Sequence, residues 1–549
     1  MASATWIERK QTVSIINNAY PRQVEFYDTT LRDGSQTRGV QFSLKDKLSV
    51  IDLLDDFGID IIECGWNGAN ATDTDLFKIL AKHNTRKAKL AAFTSSCATG
   101  KRPQNDSVFQ RGTSVDVPVI TLFSKFWDFQ ITHALKTTIE HNQELIYNSV
   151  SYCKARFDQV VVDAEHFFDG YKSNPEIAIK ALETAIAGGA DCIVLCDTNG
   201  GTLPSEVIQI FQRLKKLFPA TQLGIHCHND ADMAVANSVA AFEHGAVQIQ
   251  GTINGIGERC GNTNLCSLIP NLVVKYGIDS AFINQTNLHR IRHVADVVSS
   301  ICHRVIPPTD PYVGEHAFTH KAGVHISSVL KHPECYEHVR PEIVGNTRHL
   351  PISEQSGRAA MKYRLEKLGY QAIQDRECES LLREVKERCY EGVLLDDADA
   401  SLELLVHRFM ARYREAIPVI ELEHLVISEL HGLLSDKHYR LEIGLNVNGR
   451  LLFNRDFGTN LSALCWKSVR HLLGDEFYIC QRAQAALDRV DKLHKHQIRS
   501  FFSFTHETKK HRICVVESSE DRAVCRAIID VISWHIYQQN QVLGLSETA

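Results

Sequence analysis

The run LGIHCHND at Leu223–Asp230 places two histidines two positions apart in an apolar, strand-like stretch. Successive side chains of a β-strand point to opposite faces, so His226 and His228 share one face and Cys227 points to the other. Two imidazoles side by side at the polar end of a buried strand supply half of a metal site. Two core histidines bonded to the backbone would give the same pattern, so the rest of the chain must decide between the interpretations.

The same unit, a short apolar strand followed by an amphipathic helix, recurs across residues 23–277. Most of these strands are continuously apolar, as expected where both faces of a sheet are covered. Eight strands are predicted, at Val24–Thr29, Asp60–Trp66, Lys89–Thr94, Val117–Phe123, Gln159–Asp163, Asp191–Asp197, Gln222–His228 and Val247–Asn254. This count predicts a (β/α)₈ TIM barrel, since an open doubly wound sheet usually has fewer strands and a glycine-rich first turn.

The predicted fold class is α/β, with the barrel followed by a helical linker subdomain and a C-terminal α+β domain. We predict four parts: an N-terminal extension at 1–22, the barrel at 23–277, linker and helical subdomains at 278–417, and the α+β domain at 418–549. In the last part, Asn448-Gly449 favours a type I′ hairpin turn, and Asn460–Leu473 has the pattern of an amphipathic helix.

Composition excludes several classes of protein. The 549 residues are 44% hydrophobic and 23% charged, with a net charge of -6, and no basic face stands out. We therefore expect no nucleic-acid partner. No apolar run approaches the roughly 18–20 residues that span a membrane, and residues 1–22 lack the apolar core of a secretory signal. The 16 cysteines are scattered singly, which is typical of reduced thiols in the cytoplasm.

The barrel prediction makes the carboxyl ends of the strands the place to look for function, and polar residues follow six of the eight strands there. Asp33, after the first strand, would join His226 and His228 in a ligand set that leaves positions open for substrate or water. These N and O ligands suit Zn, Mn, Co or Fe(II), and Mg less well. Asn262, after the eighth strand, would complete the shell or hold a ligand in place.

Other side chains are candidates for acid–base and electrostatic roles. Arg32, beside Asp33, would stabilise a developing oxyanion such as an enolate, although an Arg–Asp ion pair at a barrel rim is the structural alternative. Glu165 is a candidate base partner, or else a helix-capping acid. His325, in a Gly- and His-rich loop outside the barrel, is a candidate general base, and Tyr336 is a weaker one.

Three stretches resemble the signatures of the metal-dependent acyl-CoA condensing enzymes, the family of 2-isopropylmalate, homocitrate and citramalate synthases with the related HMG-CoA lyases. They are FYDTTLRDG at 26–34, HCHND at 226–230 and NGIGERCGN at 254–262. Three further stretches resemble the citramalate synthase branch of the family: ECGWNGAN at 63–70, DAEHFFDGY at 163–171 and LCDTNGGTLP at 195–204. AFTHKAGVH at 317–325 is similar to the family segment that follows the barrel.

The resemblance implies roles for these side chains. A divalent metal would be held by Asp33, His226 and His228, with Asn262 near it, and a 2-keto acid would chelate the metal. Arg32 would steady the enolate, and Glu63 and Thr198 would contact substrate. Proton abstraction from the methyl group of acetyl-CoA would fall to Glu165 and His325, with Tyr336 in support.

The resemblance also implies an activity and partners. Acetyl-CoA and pyruvate would give citramalate for isoleucine biosynthesis in the cytoplasm. The alternatives are 2-oxoisovalerate as the keto acid, a lyase acting on an HMG-CoA-like thioester, and a barrel kept only for regulation. The C-terminal domain resembles the family's feedback-regulatory domain, so isoleucine or leucine is a possible effector, and a homodimer is expected.

Overall fold

The computed structural model describes residues 24–83, 85–278, 280–370, 374–412, 420–431, 437–474, 486–493, 497–506 and 509–546. Contacts divide the chain into two compact units. The first comprises Met1–Phe318 and Val339–Thr347, and the second comprises Thr319–His338 and Arg348–Ala549. The predicted N-terminal extension at 1–22 lies outside the described residues.

The first unit contains a closed barrel of eight parallel strands, in which each strand is bonded to the next and β8 is bonded to β1. The strands are β1 Glu25–Asp28, β2 Ile61–Glu63, β3 Lys89–Ser95, β4 Val119–Lys125, β5 Gln159–Glu165, β6 Cys192–Asp197, β7 Gln222–Cys227 and β8 Ala246–Gly251. All eight predicted strands are present in the predicted order, and the TIM barrel is confirmed.

Helices alternate with the strands and continue past the barrel. They are α1 Leu44–Phe57, α2 Ala71–Leu80, α3 Ser107–Thr113, α4 Ile139–Lys154, α5 Phe167–Ser173, α6 Pro175–Gly188, α7 Pro204–Leu217, α8 Ala234–Glu243, α9 Leu265–Pro270 and α10 Ile291–Ile301. Helix α1 shows how sequence fixes their ends. Ser43 and Asp46 form a reciprocal capping box at its start, and Gly58 ends it at φ 109°, where a side chain would be strained.

Alternation along the strands separates two apolar layers. One set of side chains packs inside the barrel, among them Tyr27, Ile61 and Val161. The opposite set packs between the barrel and its helices. Cys227 belongs to this outer layer, as predicted, and burial raises the pKa of its thiol well above the usual value. The same alternation turns His226 of β7 toward the barrel interior.

The second unit is helical first and then mixed. Its elements are α11 Gly323–Lys331, α12 Arg358–Lys367, α13 Asp375–Tyr390, α14 Asp399–Ala411, β9 Ile420–His431, β10 Lys437–Val447, β11 Arg450–Gly458, α15 Leu461–Leu473, β12 Ala486–Lys492, β13 Ile498–His506, β14 Lys509–Glu517 and α16 Glu520–Ser546. The strands form two antiparallel sheets, ordered β11-β10-β9 and β12-β13-β14. Asn448 and Gly449 have φ 53° and 83°, so the predicted hairpin turn is confirmed.

The structure corrects two local predictions. Strand β7 ends at Cys227, so His228 follows the strand instead of lying in it. The segment carrying His325 is helix α11 and not a loop, because Ile326 and Val329 give it a buried face with helical spacing. A Cβ at Gly323 would lie 2.7 Å from the Gln355 carbonyl oxygen, which explains the glycine at the start of this helix. The predicted domain boundaries stay predictions.

Candidate metal centre and active site

Three side chains converge at the carboxyl end of the barrel. Asp33 follows β1, His226 lies near the end of β7, and His228 comes directly after β7. One ligand atom from each lies within 4.8 Å of the others. Asp33 Oδ2 is 3.3 Å from His226 Nε2 and 4.0 Å from His228 Nε2. These residues meet although they are far apart in sequence, because β1 and β7 are both neighbours of β8 in the closed barrel.

The donor set fits a divalent cation. All three side chains are buried, and Asp33 Oδ1 and His228 Nδ1 have no hydrogen-bond partner among the described residues. Buried polar atoms normally have a partner, so unpaired ones within a cluster of potential metal ligands indicate that a bound group completes the site. Asn262 pairs with His228 through the backbone, and its Oδ1 is likewise unpaired within the described part of the chain. Nitrogen and oxygen ligands of this kind suit several divalent metals.

The electrostatic environment favours cation-binding forms of two ligands. Burial favours the neutral form of Asp33, but the Arg32 guanidinium and His226 outweigh burial and hold the pKa of this carboxyl below its usual range. Burial and the neighbouring His226 lower the pKa of His228 to about 4, so this imidazole is neutral at physiological pH. Burial also opposes a charge on His226, yet the hydrogen bond to Asp33 raises its pKa, and a bound metal must displace that proton.

Arg32 is fixed from three sides beside these ligands. Its Nε donates to Glu63 Oε1 at 2.5 Å, its Nη1 lies 3.4 Å from Asp33 Oδ2, and its guanidinium carbon is 3.8 Å from the centre of the Phe93 ring. Tyr27 donates to the other Glu63 oxygen at 2.8 Å. Each oxygen of Glu63 therefore accepts a hydrogen bond, one from Arg32 and one from Tyr27. A preorganised cation that is largely out of water is suited to stabilise an oxyanion.

Glu165 and Thr198 lie at the ends of neighbouring strands. Glu165 forms an ion pair with Lys125, which is its direct neighbour in the register of β4 and β5. Thr198 follows β6, and its hydroxyl accepts a hydrogen bond from the backbone N–H of His166 at 2.8 Å. Lys125 could not be predicted from the sequence, because only the register of the parallel strands places it beside Glu165.

A further buried set was also missed. Gln250 on β8 bonds to His226 Nδ1 at 2.9 Å and donates to Asp163 Oδ1 at 2.9 Å. Burial, with the nearby Glu63, raises the pKa of Asp163 to about 7. The available signal was a glutamine at an inward-facing position of an apolar strand. That signal alone gives no partner for its side chain.

His325 and Tyr336 belong to the second unit of the chain. His325 lies on α11 and is exposed, and Tyr336 is 43% exposed. Their rings stack with centroids 4.0 Å apart and planes 28° apart. The structure thus pairs the two side chains with each other. Their roles in proton transfer stay predictions.

Two known families match consecutive parts of this chain. The HMGL-like family matches residues 23–298, and the family described as homocitrate synthase post-HMGL domain-like matches residues 312–392. Among solved structures, a hydroxymethylglutaryl-CoA lyase from Pseudomonas aeruginosa covers 52% of this chain and 95% of that one, at 16% identity and a TM-score of 0.45.

Curated relatives are more similar. The (R)-citramalate synthase of Aquifex aeolicus is 49% identical over 387 residues, which are 70% of this chain and 73% of that protein. The (R)-citramalate synthase of Geobacter sulfurreducens is 43% identical, over 72% and 75% respectively. The 2-isopropylmalate synthase of Staphylococcus carnosus is 34% identical, over 65% of this chain and 69% of that protein. The chain therefore belongs to the HMGL-like family, within the group of citramalate and 2-isopropylmalate synthases.

Proposed function

We propose that the protein is an (R)-citramalate synthase, which condenses acetyl-CoA with pyruvate and hydrolyses the thioester to release CoA. The observation that carries the proposal is the buried Asp33–His226–His228 cluster with Arg32 fixed beside it. It is supported by 40–49% identity to five proteins named (R)-citramalate synthase, whereas three proteins named 2-isopropylmalate synthase are 30–34% identical.

The residues divide the work as follows. Asp33, His226 and His228 would hold a divalent metal, with Asn262 beside it, and the bound ion would polarise the keto carbonyl as a Lewis acid. Arg32 would stabilise the negative charge that develops on the enolate and then on the new alkoxide. Thr198 would contact the keto-acid carboxylate, and Glu63 would keep Arg32 in place.

The remaining candidate residues would move protons during the reaction. A base removes a proton from the methyl carbon of acetyl-CoA, and Glu165, paired with Lys125, and His325 are the candidates. The methyl carbon then bonds to the keto carbon of pyruvate, and the resulting alkoxide takes up a proton, for which Tyr336 is a candidate donor. Water finally attacks the thioester, the C–S bond breaks, and CoA leaves as the thiol.

The choice of pyruvate has support near Arg32. The rings of Phe93 and Phe123 stack with centroids 5.2 Å apart, and Trp66 meets both edge-on at 5.9 and 5.8 Å. Because Phe93 contacts the Arg32 guanidinium, these rings would narrow the space for the keto acid and so favour a methyl group over a branched chain. A cytoplasmic location, a homodimer and an isoleucine or leucine effector belong to the same proposal and rest on the resemblance to the family.

One assay tests the reaction. CoA release is measured with acetyl-CoA and, in parallel, pyruvate or 2-oxoisovalerate, with Mn²⁺ or Zn²⁺ supplied. We expect kcat/KM to be at least about 10-fold larger with pyruvate, because a small apolar difference in a pocket is worth about 1–3 kcal/mol. A larger value with 2-oxoisovalerate would make the protein a 2-isopropylmalate synthase. Acetoacetate formed from HMG-CoA, without CoA release from either pair, would make it a lyase.

A further inference from the structure

Side chains from three strands form a buried series of hydrogen bonds that begins at the metal ligand His226. His226 on β7 and Gln250 on β8 are direct neighbours in register, and His226 Nδ1 is 2.9 Å from Gln250 Oε1. The other end of the same amide, Nε2, donates to Asp163 Oδ1 on β5 at 2.9 Å. All three residues are at most 5% exposed. Gln250 therefore links β8 to both β7 and β5 through the barrel interior.

The chemistry of imidazole decides which atom donates and which accepts in this series of hydrogen bonds. A neutral imidazole has one N–H donor and one nitrogen with a free lone pair. His226 Nε2 faces Asp33, so this nitrogen must carry the lone pair if His226 is to bind a cation. The proton then lies on Nδ1, where it needs an acceptor, and the Gln250 carbonyl oxygen is in that place.

An amide by itself does not enforce this direction, because a glutamine side chain turned by half a revolution presents its NH₂ group instead. That orientation would call for a lone pair on Nδ1 and a proton on Nε2, which blocks metal binding. Asp163 opposes it, because an ionised carboxylate can only accept hydrogen bonds, and its Oδ1 therefore meets the NH₂ end of the amide. The partner of Gln250 on β5 thus decides which end of the amide His226 meets.

We propose that Gln250, anchored by Asp163, is a positioning residue that holds His226 in the tautomer with Nε2 free for the metal. The inference rests on the metal site of the proposed function. His228 differs, because its Nδ1 has no partner within the described residues. One imidazole of the pair is therefore oriented by the interior of the barrel, and the other is not.

The test is metal affinity, measured by competition of Zn²⁺ or Co²⁺ alone with a chromogenic chelator. We expect Gln250→Leu to bind either ion about 10- to 100-fold more weakly and to alter the visible absorption of bound Co²⁺. Gln248→Leu is the matched control. Gln248 is buried on the same face of the same strand but bonds to Glu25, so this variant should bind metal like the wild type.

A double variant separates the tautomer from simple packing. In Gln250→Glu with Asp163→Asn, residue 250 still accepts from His226 Nδ1, and the amide of residue 163 donates to residue 250. The pair still contains one carboxylate and one amide, so its charge is unchanged. We expect metal affinity within about 3-fold of wild type, a smaller loss than an altered second shell normally causes. Wild-type affinity in Gln250→Leu, or no rescue in the double variant, would overturn the proposal. Failure of the wild type to bind either ion would instead overturn the proposed function.

Discussion

Carboxylates are buried both at the barrel mouth, which is the carboxyl end of the barrel strands, and in the C-terminal part of the chain. The two regions differ in whether every carboxylate oxygen has a hydrogen-bond partner. Asp530 on α16 is bonded to Arg408 at 2.7 Å and lies 3.6 Å from Arg526. Glu403 on α14 accepts from the Trp534 indole at 2.8 Å. Asp33 differs, because it is the one carboxylate of the described residues with a buried oxygen that has no hydrogen-bond partner.

The difference teaches how a buried charge can be interpreted. A carboxylate whose oxygens are all paired within the chain needs no bound ligand, and removing it leaves its partner uncompensated. A carboxylate that faces two imidazoles through one oxygen and has no partner for the other within the described residues is suited to a ligand from outside the chain. Burial alone does not distinguish the two, since Asp33 and Asp530 are both buried. The pairing of each oxygen does.

The largest effect is expected at the barrel mouth. Asp33→Ala should abolish stoichiometric metal binding and lower kcat/KM by at least about 10³-fold, because Lewis-acid stabilisation is worth several kcal/mol. The melting temperature should not fall, since Arg32 keeps Glu63 as its partner. Metal analysis after gel filtration, the CoA-release assay and a thermal melt check these three points. Unchanged metal content would rule out the ligand role of Asp33.

The next effect is expected in the C-terminal part of the chain. Asp530→Ala should lower the unfolding free energy by about 3–5 kcal/mol, because it leaves Arg408, whose side chain is only 19% exposed, without its carboxylate partner, and kcat/KM of the folded protein should not change. Urea denaturation followed by tryptophan fluorescence measures the loss. Asp75→Ala is the control: its ion pair with Lys78 is exposed, so less than about 1 kcal/mol is expected. Equal losses would contradict the distinction between the pairs.

A smaller effect concerns Asp60, which has no cationic partner among its hydrogen bonds in the described part of the chain: its carboxyl accepts from the backbone N–H groups of Phe26 at 2.8 Å and Ala281 at 3.3 Å, and from the Ser280 side chain. Burial raises its pKa to about 7, above the unfolded value of about 3.9. The folded state therefore keeps a proton that the unfolded state loses, and stability falls as pH rises from about 4 to about 7. Asp60→Asn should remove this slope, worth at most about 4 kcal/mol.

Urea denaturation at about pH 5 and about pH 8 measures the slope. Asp55→Asn is the matched control. Burial opposes the charge on Asp55, but three backbone N–H donors hold its pKa below the usual range, so its contribution is lost only at lower pH. The stability difference between Asp55→Asn and wild type should thus be the same at both pH values. A difference that changes with pH for Asp55→Asn, and not for Asp60→Asn, would reverse the assignment.

Most of the fold could be predicted because its signals are local. Short apolar runs predicted all eight barrel strands. The ends of the strands shifted by a few residues, because hydrogen bonding to the neighbouring strands decides where each strand stops. The turn at Asn448 and Gly449 was predictable because both residues tolerate positive φ. Helix α11 was missed because a short, glycine-containing segment depends on packing at Ile326 and Val329 for its helical form.

The candidate site divides in the same way. His226 and His228 could be found from their spacing on a strand, and Asp33 from its position after another strand. Gln250 and Lys125 could not be found, because their partners lie on neighbouring strands. Only the register of β7 with β8 and of β4 with β5 brings these side chains together.

The sequence by itself determined the barrel, the family signatures and the three candidate ligands, because periodicity and strand-end position are properties of consecutive residues. The tertiary structure alone decided which oxygen of Asp33 lacks a partner, which side chain holds Arg32, and which nitrogen of His226 meets Gln250. Those are distances of a few ångströms between residues far apart in the chain. They are fixed only when the eight strands close into one register.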